Sequence, residues 1–297
     1  MSSTQLDTLT QVNLDDLVAS FGWEKYPLPA FILRKLFIGA ARKFSGQMLA
    51  YDECVGALGL AKGSRQTLRN YYVQDVRVQG GDLVPRQGPA LFLSNHPGMA
   101  DTLSLFAAIQ RPDLNIIAIQ RPFLVSLANV TKNLFYISDA PAERMRAVRQ
   151  VAAHLRGGGS VLSFPAGEIE PDPDVYPGAS NSLNQWTDSA GVFLRFAPQT
   201  KIVPVLVRHV VWEKTAHHWL TRLKRTRMER EKLAAALQLL AMVTRGVRPT
   251  IVRVSFAKPI TLDEIGSTES KAIHQVVLHR MRALIDAKPA EADISAL

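Results

Sequence analysis

Asn95, His96 and Asp101 are the residues of this chain whose types and spacing are best suited to chemistry. They lie where an apolar stretch, residues 90–94, passes into an Asn-His-Pro-Gly turn and then into an amphipathic helical pattern. A carboxylate beside an imidazole fixes its tautomer and stabilises the imidazolium that forms when the other ring nitrogen takes a proton. The pattern therefore indicates a general base that activates a hydroxyl or amine nucleophile. The alternative interpretation is a turn histidine followed by an aspartate that caps the next helix.

A second candidate site follows another short apolar stretch. Residues 161–164 are typical of a buried strand, which Pro165 ends and Gly167 opens into a loop. Glycine at the end of a strand lets backbone amides approach an anionic ligand closely. We expect Glu168 to lie at the same edge of the sheet as His96. The alternative is an ordinary turn between a strand and a loop.

A proline interrupts a third apolar stretch. Residues 202–207 predict a strand, and Pro204 within it has no N–H group to donate to a neighbour. This predicts an edge strand, a bulge or a ligand-facing break in the ladder.

Taken in order, these segments resemble the glycerolphosphate and lysophospholipid acyltransferase superfamily, which includes the 1-acylglycerol-3-phosphate acyltransferases. The shared motifs are Asn-His-x4-Asp, a form of Phe-Pro-Glu-Gly, and an apolar strand with a central proline, and the similarity covers roughly residues 75 to 260. Ala166 stands where glutamate is commoner, and the resulting Phe-Pro-Ala-Gly-Glu is similar to the hemolysin-like and ornithine-lipid-type branch. The matching residues are Asn95, His96, Asp101, Phe164, Pro165, Gly167 and Pro204.

The resemblance implies an acyltransferase in which His96 removes the acceptor's proton during attack on a thioester carbonyl, while Asp101 orients the imidazole. It also implies that backbone amides of residues 165–167 bind an anionic acceptor group or the oxyanion. The donor is then acyl-CoA or acyl carrier protein, used as a co-substrate without a further cofactor or metal. The candidate substrate-binding residues are Asn95, Arg121, Phe164, Pro165, Ala166, Gly167, Glu168 and Pro204.

The second motif of the superfamily, a strand ending in Ile-x-Arg, is incomplete. The comparable strand, residues 134–138, is followed by Asp139, Ala140 and Pro141. Substitutes for the arginine that holds the acceptor phosphate are Arg121, Arg144 and Arg146, each of which has the alternative interpretation of a solvated residue. The head group of the acceptor therefore stays open. A second hypothesis also follows, a catalytically inactive lipid-binding protein on the same scaffold.

The composition is that of a globular protein, with 47% hydrophobic and 21% charged residues in 297. The single cysteine, Cys54, excludes an intrachain disulfide and is typical of a reducing compartment. The first residues lack the pattern of a signal peptide, and no window approaches the roughly 18 apolar residues that span a bilayer. These features predict a cytoplasmic protein, peripheral to the membrane. Motifs of serine hydrolases, nucleotide-binding loops and zinc sites are missing from the sequence.

Two segments combine basic and apolar residues. Residues 219–243 read as one long helix with a basic first half, and residues 31–44 carry an apolar stripe with basic clusters. The formal net charge of +9 adds a general attraction to anionic partners. We expect at least one segment to bind an anionic membrane surface, although amphipathic helices more commonly dock on their own core. Nucleic-acid binding through residues 219–232 has only charge in its favour, and we expect none.

The chain divides into a helical segment, residues 1–70, and an acyltransferase-like α/β domain, residues 71–297. Alternating patterns predict a central, mostly parallel mixed sheet flanked by helices. The loop 168–187 is long enough to border an active site. The predicted strands cover residues 72–79, 90–94, 115–119, 134–138, 160–164, 202–208 and 251–257. The predicted helices after residue 100 cover 101–110, 122–131, 141–156, 184–197, 217–244 and 268–287.

Overall fold

Eight strands form one sheet in the computed structural model, which describes residues 3–23, 25–287 and 294–297. Their order across the sheet is β4-β3-β5-β2-β6-β7-β1-β8. From β4 to β6 all neighbours are parallel, β7 is antiparallel to β6, β1 is parallel to β7, and β8 is antiparallel to β1. The strands are β1 (Asp75–Gln79), β2 (Ala90–Ser94), β3 (Leu114–Ile119), β4 (Leu134–Ile137), β5 (Ser160–Ser163), β6 (Lys201–Arg208), β7 (Ile251–Phe256) and β8 (Ile294–Ser295).

Helices cover both faces of this sheet, as the predicted α/β fold requires. Phe92 of β2 packs against one face, whereas its neighbours Leu91 and Leu93 belong to the core on the other face. Burial on both sides explains why the parallel strands are nearly continuous apolar runs. The helices are α1 (Ser3–Phe21), α2 (Pro27–Leu58), α3 (Leu60–Thr67), α4 (Met99–Ile109), α5 (Pro122–Val125), α6 (Pro141–Arg156), α7 (Ala179–Ser182), α8 (Ser189–Phe196), α9 (Glu213–Ala216), α10 (Arg227–Arg245), α11 (Leu262–Ile265) and α12 (Ser270–Asp286).

The predicted helix 122–131 is wrong, because α5 ends after one turn at Val125. Asp52 of α2 accepts hydrogen bonds from the backbone N–H groups of Asn129 and Val130, each at 2.8 Å. These bonds hold the chain in a different path, and a separate 3₁₀ turn follows at Val130–Asn133.

The predicted helix 217–244 is also wrong, because two elements occupy this range. A 3₁₀ turn spans Trp219–Leu223, and α10 begins only at Arg227. Thr226 accepts a hydrogen bond from the N–H of Glu229, whose side chain bonds back to Thr226. This capping box fixes the start of α10.

The N-terminal helices share the main core with the strands. α1 and α2 form an antiparallel hairpin, and Leu9 of α1 and Met48 of α2 lie in the same apolar cluster as Phe92. The far end of the hairpin has a small core of its own, built from Val18, Ala30 and Leu33. In the described ranges, no helix combines the length and apolar character that a bilayer span requires.

Candidate active site

His96 and Asp101 meet where β2 ends and α4 begins. The Nδ1 atom of His96 lies 2.7 Å from Oδ2 of Asp101, and the Asp101 side chain is fully buried. The two residues are close because the chain turns sharply between Ser94 and the first turn of α4. The contact between an imidazole and a carboxylate that the sequence predicts at this turn is therefore present in the structure.

Asp101 also stabilises the start of α4. Its Oδ2 accepts a hydrogen bond from the N–H of Gly98 at 2.9 Å, and its Oδ1 accepts from the N–H and the hydroxyl of Thr102, the latter at 2.9 Å. Asp101 occupies the third helical position and bonds back to the residue that precedes the helix. Orienting the imidazole and capping the helix are thus two functions of one carboxylate, and not alternatives.

The other side of the imidazole is open. The His96 side chain is 30% exposed, and its ring stacks on Phe164 with 4.5 Å between centroids and 25° between planes. Its Nε2 atom has no hydrogen-bond partner in the described part of the chain. Because Nδ1 is paired with a carboxylate, Nε2 is the nitrogen that can take a proton from a bound acceptor.

Charges around the ring set its basicity. Burial disfavours the imidazolium and acts to lower the pKa of His96, but the charge and hydrogen bond of Asp101 outweigh it. The Glu170 carboxylate also raises this pKa, and the Arg121 guanidinium opposes it. The net pKa of His96 lies above the usual histidine value.

Asn95 secures the turn to the neighbouring strand. Its Nδ2 donates to the carbonyl oxygen of Val207, and its Oδ1 accepts from the Val207 N–H, both at 2.8 Å. The side chain thereby extends the β2–β6 pairing by one residue. This geometry assigns Asn95 a positioning role; direct contact with a substrate stays a prediction.

The loop after β5 brings Phe164 to the histidine. Gly167 has a φ of +70°, a conformation that favours glycine, and its N–H donates to the carbonyl oxygen of Phe164 at 3.0 Å. Pro165 has no N–H, so Ala166 supplies the one amide of residues 165–167 that is left for an anionic ligand. Glu168 is half-buried without a hydrogen bond or ion pair in the described residues, so its place at the site stays a prediction.

Glu170 is the acidic residue of this loop that contacts the histidine, and the sequence analysis missed it. Its N–H donates to the carbonyl oxygen of His96 at 2.9 Å, and its Oε2 accepts from the His96 N–H at 3.2 Å. The loop 168–187 therefore contacts the turn that carries His96, at Glu170; that it borders an active site stays a prediction. Acidic residues at every second position, from 168 to 174, gave no signal of which one turns inward.

Asp172 fixes the end of β6 from the same loop. Its carboxylate accepts hydrogen bonds from the N–H groups of His209, Val210 and Val211 at 2.7–3.0 Å. His209 has a φ of +61°, so the chain turns sharply there, and these bonds hold that turn.

Pro204 does not mark an edge strand, because β6 lies between β2 and β7. Its carbonyl oxygen accepts from the N–H of Ala257 at 2.9 Å, just past the last β7 residue, Phe256. The N–H and the C=O of one residue in a strand point toward the same neighbouring strand. The missing donor of Pro204 therefore faces the segment that leaves β7, where the regular ladder ends, and the residue is buried within the sheet. A contact with substrate stays a prediction.

The three candidate arginines occupy different places. Arg121 follows β3 by two residues, is exposed, and lies close enough to His96 to act against its protonation. Arg144 is also exposed, and it donates to the carbonyl oxygen of Ser138 and lies 3.5 Å from the carboxylate of Asp139. Arg146 is exposed on α6. Arg121 is thus the candidate whose charge acts on the histidine.

A known protein family matches the part of the chain that contains this site. Residues 75–208, from the start of β1 to the end of β6, match the family model described as Acyltransferase. The crystal structure of the 1-acyl-sn-glycerophosphate (LPA) acyltransferase PlsC from Thermotoga maritima is similar to the chain, with 14% identity and a TM-score of 0.46. That similarity covers 92% of this chain and 97% of the other. No curated protein matches the sequence significantly.

Proposed function

We propose that this protein, an acyltransferase enzyme whose residues 75–208 match the acyltransferase family model, transfers a fatty acyl group to a lipid. The donor is a thioester, acyl-CoA or acyl carrier protein, and the acceptor is a hydroxyl or amine of a glycerolipid-type or lyso-lipid molecule. The observation that carries the proposal is the His96–Asp101 pair, in which Nδ1 is paired with the carboxylate and Nε2 is open.

His96 acts as the general base in this reaction. Its Nε2 takes the acceptor's proton as the acceptor oxygen or nitrogen forms a bond to the thioester carbonyl carbon. The tetrahedral intermediate then collapses, the C–S bond breaks, and the imidazolium returns the proton to the leaving sulfur. The products are the acylated acceptor and a free thiol, with no covalent intermediate on the protein. Asp101 stabilises the imidazolium between the two steps.

Anionic groups have two candidate partners beside the histidine. The N–H of Ala166 is the free amide of residues 165–167 and supports binding of the oxyanion or an anionic acceptor group. Arg121 supplies a positive charge near the ring and is the proposed substitute for the incomplete second motif.

A thiol-release assay tests the proposed reaction. Purified protein with palmitoyl-CoA should release CoA only when an acceptor is added, and the panel should hold glycerol-3-phosphate, lysophosphatidate and a lyso-amino-lipid. Each reaction is run beside His96→Ala. Acceptor-dependent release that disappears in the variant identifies the acceptor class. If no acceptor supports release from palmitoyl-CoA or from a palmitoyl carrier protein, the inactive lipid-binding hypothesis replaces this one.

We further propose that the protein binds an anionic membrane surface through the hairpin end. Here α2 is apolar on two sides: one stripe packs on α1, and the other lies in solvent. Lys224 Nζ donates to the carbonyl oxygen of Phe21 at 2.5 Å and so fixes the 3₁₀ turn Trp219–Leu223 beside the hairpin. The resulting hairpin face has side chains between 38% and 70% exposed, namely Trp23, Tyr26, Leu28, Phe31, Ile32, Leu36, Trp219 and Leu223.

Basic residues border the hairpin face. Lys25, Lys35, Arg222 and Arg225 are exposed around it, and Lys35 Nζ lies 5.0 Å from the centroid of the Phe31 ring. Aromatic and aliphatic side chains beside cations suit the interface of a bilayer that contains anionic lipids. A group of large exposed apolar side chains is uncommon on a monomer unless it has a partner.

Replacing Phe31 and Leu36 together by serine should weaken binding to phosphatidylglycerol-containing vesicles by at least about tenfold. Each apolar side chain contributes about 1.5–3 kcal/mol when fully buried, and both side chains are available for such burial. Vesicle co-sedimentation measures the effect, and added salt should weaken binding by the parent protein.

Met145→Ser is the matched control, because Met145 is an exposed apolar residue on α6, outside the hairpin face. It should bind vesicles like the parent protein. Undiminished vesicle binding by the double variant would contradict the proposal. A change in oligomeric state on a sizing column, without any change in vesicle binding, would instead assign the face to contacts between copies of this chain.

A further inference from the structure

We propose that Glu170 is a positioning residue for the catalytic base, and that it holds His96 through the backbone of the histidine. The inference rests on the proposed function of His96. Glu170 bonds to both backbone groups of His96, the carbonyl oxygen at 2.9 Å and the N–H at 3.2 Å. This pair of contacts joins the loop after β5 to the turn after β2, across 74 residues of sequence.

The Glu170 side chain is itself held rigidly. It is 1% exposed, and its Oε1 accepts hydrogen bonds from Trp186 Nε1 at 2.8 Å and from Ser182 Oγ at 3.0 Å. Three donors therefore converge on one buried carboxylate, and the single proton of the Ser182 hydroxyl is shared with the carbonyl oxygen of Ala179 at 2.8 Å. A buried carboxylate with this many partners has a single placement. Burial raises the pKa of Glu170, and the hydrogen bonds from Trp186, Ser182 and the His96 N–H act against that rise.

His96 is consequently fixed at two points. Asp101 holds the ring through Nδ1, and Glu170 holds the main chain of the same residue. Together they determine where Nε2 lies relative to the acceptor, and a small displacement of a catalytic group is costly in rate. The charge of the Glu170 carboxylate also raises the pKa of His96 and so favours the imidazolium.

A purely structural role makes a different prediction from a positioning role. Glu170→Gln preserves shape but removes the charge, and the glutamine amide cannot accept from Trp186, Ser182 and the His96 N–H all at once. If Glu170 only stabilises the loop, the variant loses thermal stability without changing the behaviour of the folded enzyme. If Glu170 positions the base, the folded variant changes in kcat and in pH dependence.

Glu170→Gln should lower kcat on the order of 10- to 100-fold, with KM within about threefold of the parent protein. The ascending limb of the pH–rate profile should move to lower pH, because the amide no longer favours the imidazolium. The His96 imidazole, followed by NMR in isotope-labelled protein, should titrate at lower pH than in the parent. Unchanged kcat, pH limb and titration in a folded variant would overturn the proposal.

Glu231→Gln is the matched control. Glu231 is also a buried glutamate, 8% exposed, but its partner is Arg227 on α10, and it is not among the charges that act on His96. It should leave kcat and the pH limb unchanged.

If Glu170→Gln does not fold, Trp186→Phe is the second test. It keeps an aromatic side chain at position 186 and the charge of Glu170, but it removes the Nε1–H that donates to Glu170. A folded Trp186→Phe with the parent's kcat would then count against the proposal.

The NMR titration keeps this test separate from the test of the reaction. It needs no turnover, so it reports on the link between Glu170 and His96 even if no acceptor supports thiol release. Absence of turnover with a shifted titration would reject the proposed function but retain the link. Turnover in the parent protein with identical titrations would reject the link alone.

Discussion

His96→Ala should lower the rate of acyl transfer on the order of 10²–10⁴-fold, the usual contribution of a positioned general base. Nε2 is the open nitrogen of the site, and among the described residues no other imidazole stacks on Phe164. The loss should fall on kcat and kcat/KM alike, because proton removal is an interaction of the transition state. Initial rates of thiol release at saturating palmitoyl-CoA and acceptor measure it. The fold should persist, because the side chain is partly exposed and contributes little to the core.

The pH profile of the parent protein gives a second readout of the same residue. The base must be neutral to act, so the rate should rise with pH through the pKa of His96 and then level off. Because Asp101 and Glu170 raise that pKa, the half-rise should lie above about 6.5, the ordinary histidine value. The residual rate of His96→Ala should lack this limb.

His279→Ala is the control for loss of a histidine. His279 is exposed on α12 and has no hydrogen bond or ion pair in the described ranges. It should match the parent protein in rate and in pH profile. An undiminished rate in His96→Ala, with the control also unchanged, would refute His96 as the base.

The contact between His96 and Asp101 was predictable because the two residues lie close together in sequence. His96 and Asp101 are five positions apart, and a strand end, a turn and the first turn of a helix bring them into contact. Local pattern alone specifies each of those elements. The central sheet was predictable for a similar reason, since its buried parallel strands read as apolar runs between turn residues.

The contacts that support the pair were not predictable, because they depend on distant segments. Glu168 and Glu170 are two positions apart in one loop, and nothing in their local sequence separates them. Trp186 and Ser182 lie at the far end of the loop, and their hydrogen bonds hold the side chain of Glu170 in its buried position. Which carboxylate faces His96 is therefore a property of the folded chain.

Two positions show how far a local signal reaches: the capping box of α10 and the proline of β6. Thr226 and Glu229 form the Thr-x-x-Glu pattern of a capping box, which marks the true start of α10 inside the predicted long helix. At Pro204 the missing donor suggested an edge, a bulge or a break in the ladder; the structure excludes the edge and has the break in a central strand, at the point where the ladder to β7 ends. A proline in a strand therefore predicts a missing backbone hydrogen bond, but the sequence does not show which neighbouring strand lacks that bond.

Asp101→Asn should lower the rate by about 10³–10⁴-fold, close to the effect of removing the base, although the side chain keeps its size. The carboxylate accepts from four donors: the His96 ring, the Gly98 N–H, and the N–H and hydroxyl of Thr102. An amide replaces one accepting oxygen by a donor. With its NH₂ group toward His96, asparagine stabilises the tautomer that carries the proton on Nε2, which cannot take a proton from the acceptor. The equivalent change in the serine protease triad has an effect of about 10⁴-fold.

With its oxygen toward His96, asparagine turns the NH₂ group toward Thr102 and leaves buried donors facing each other, so a loss of about 1–3 kcal/mol in unfolding free energy is also expected. Urea denaturation separates this loss from the effect on rate, which is measured well below the unfolding transition. Thr102→Val is the matched control, since it removes only the hydroxyl bond to Asp101 and should cost less than about tenfold. The pH limb discriminates further: without the carboxylate, the pKa of His96 should fall, and the ascending limb should move to lower pH. A folded Asp101→Asn with the parent's rate and pH limb would show that this carboxylate serves the helix and not the base.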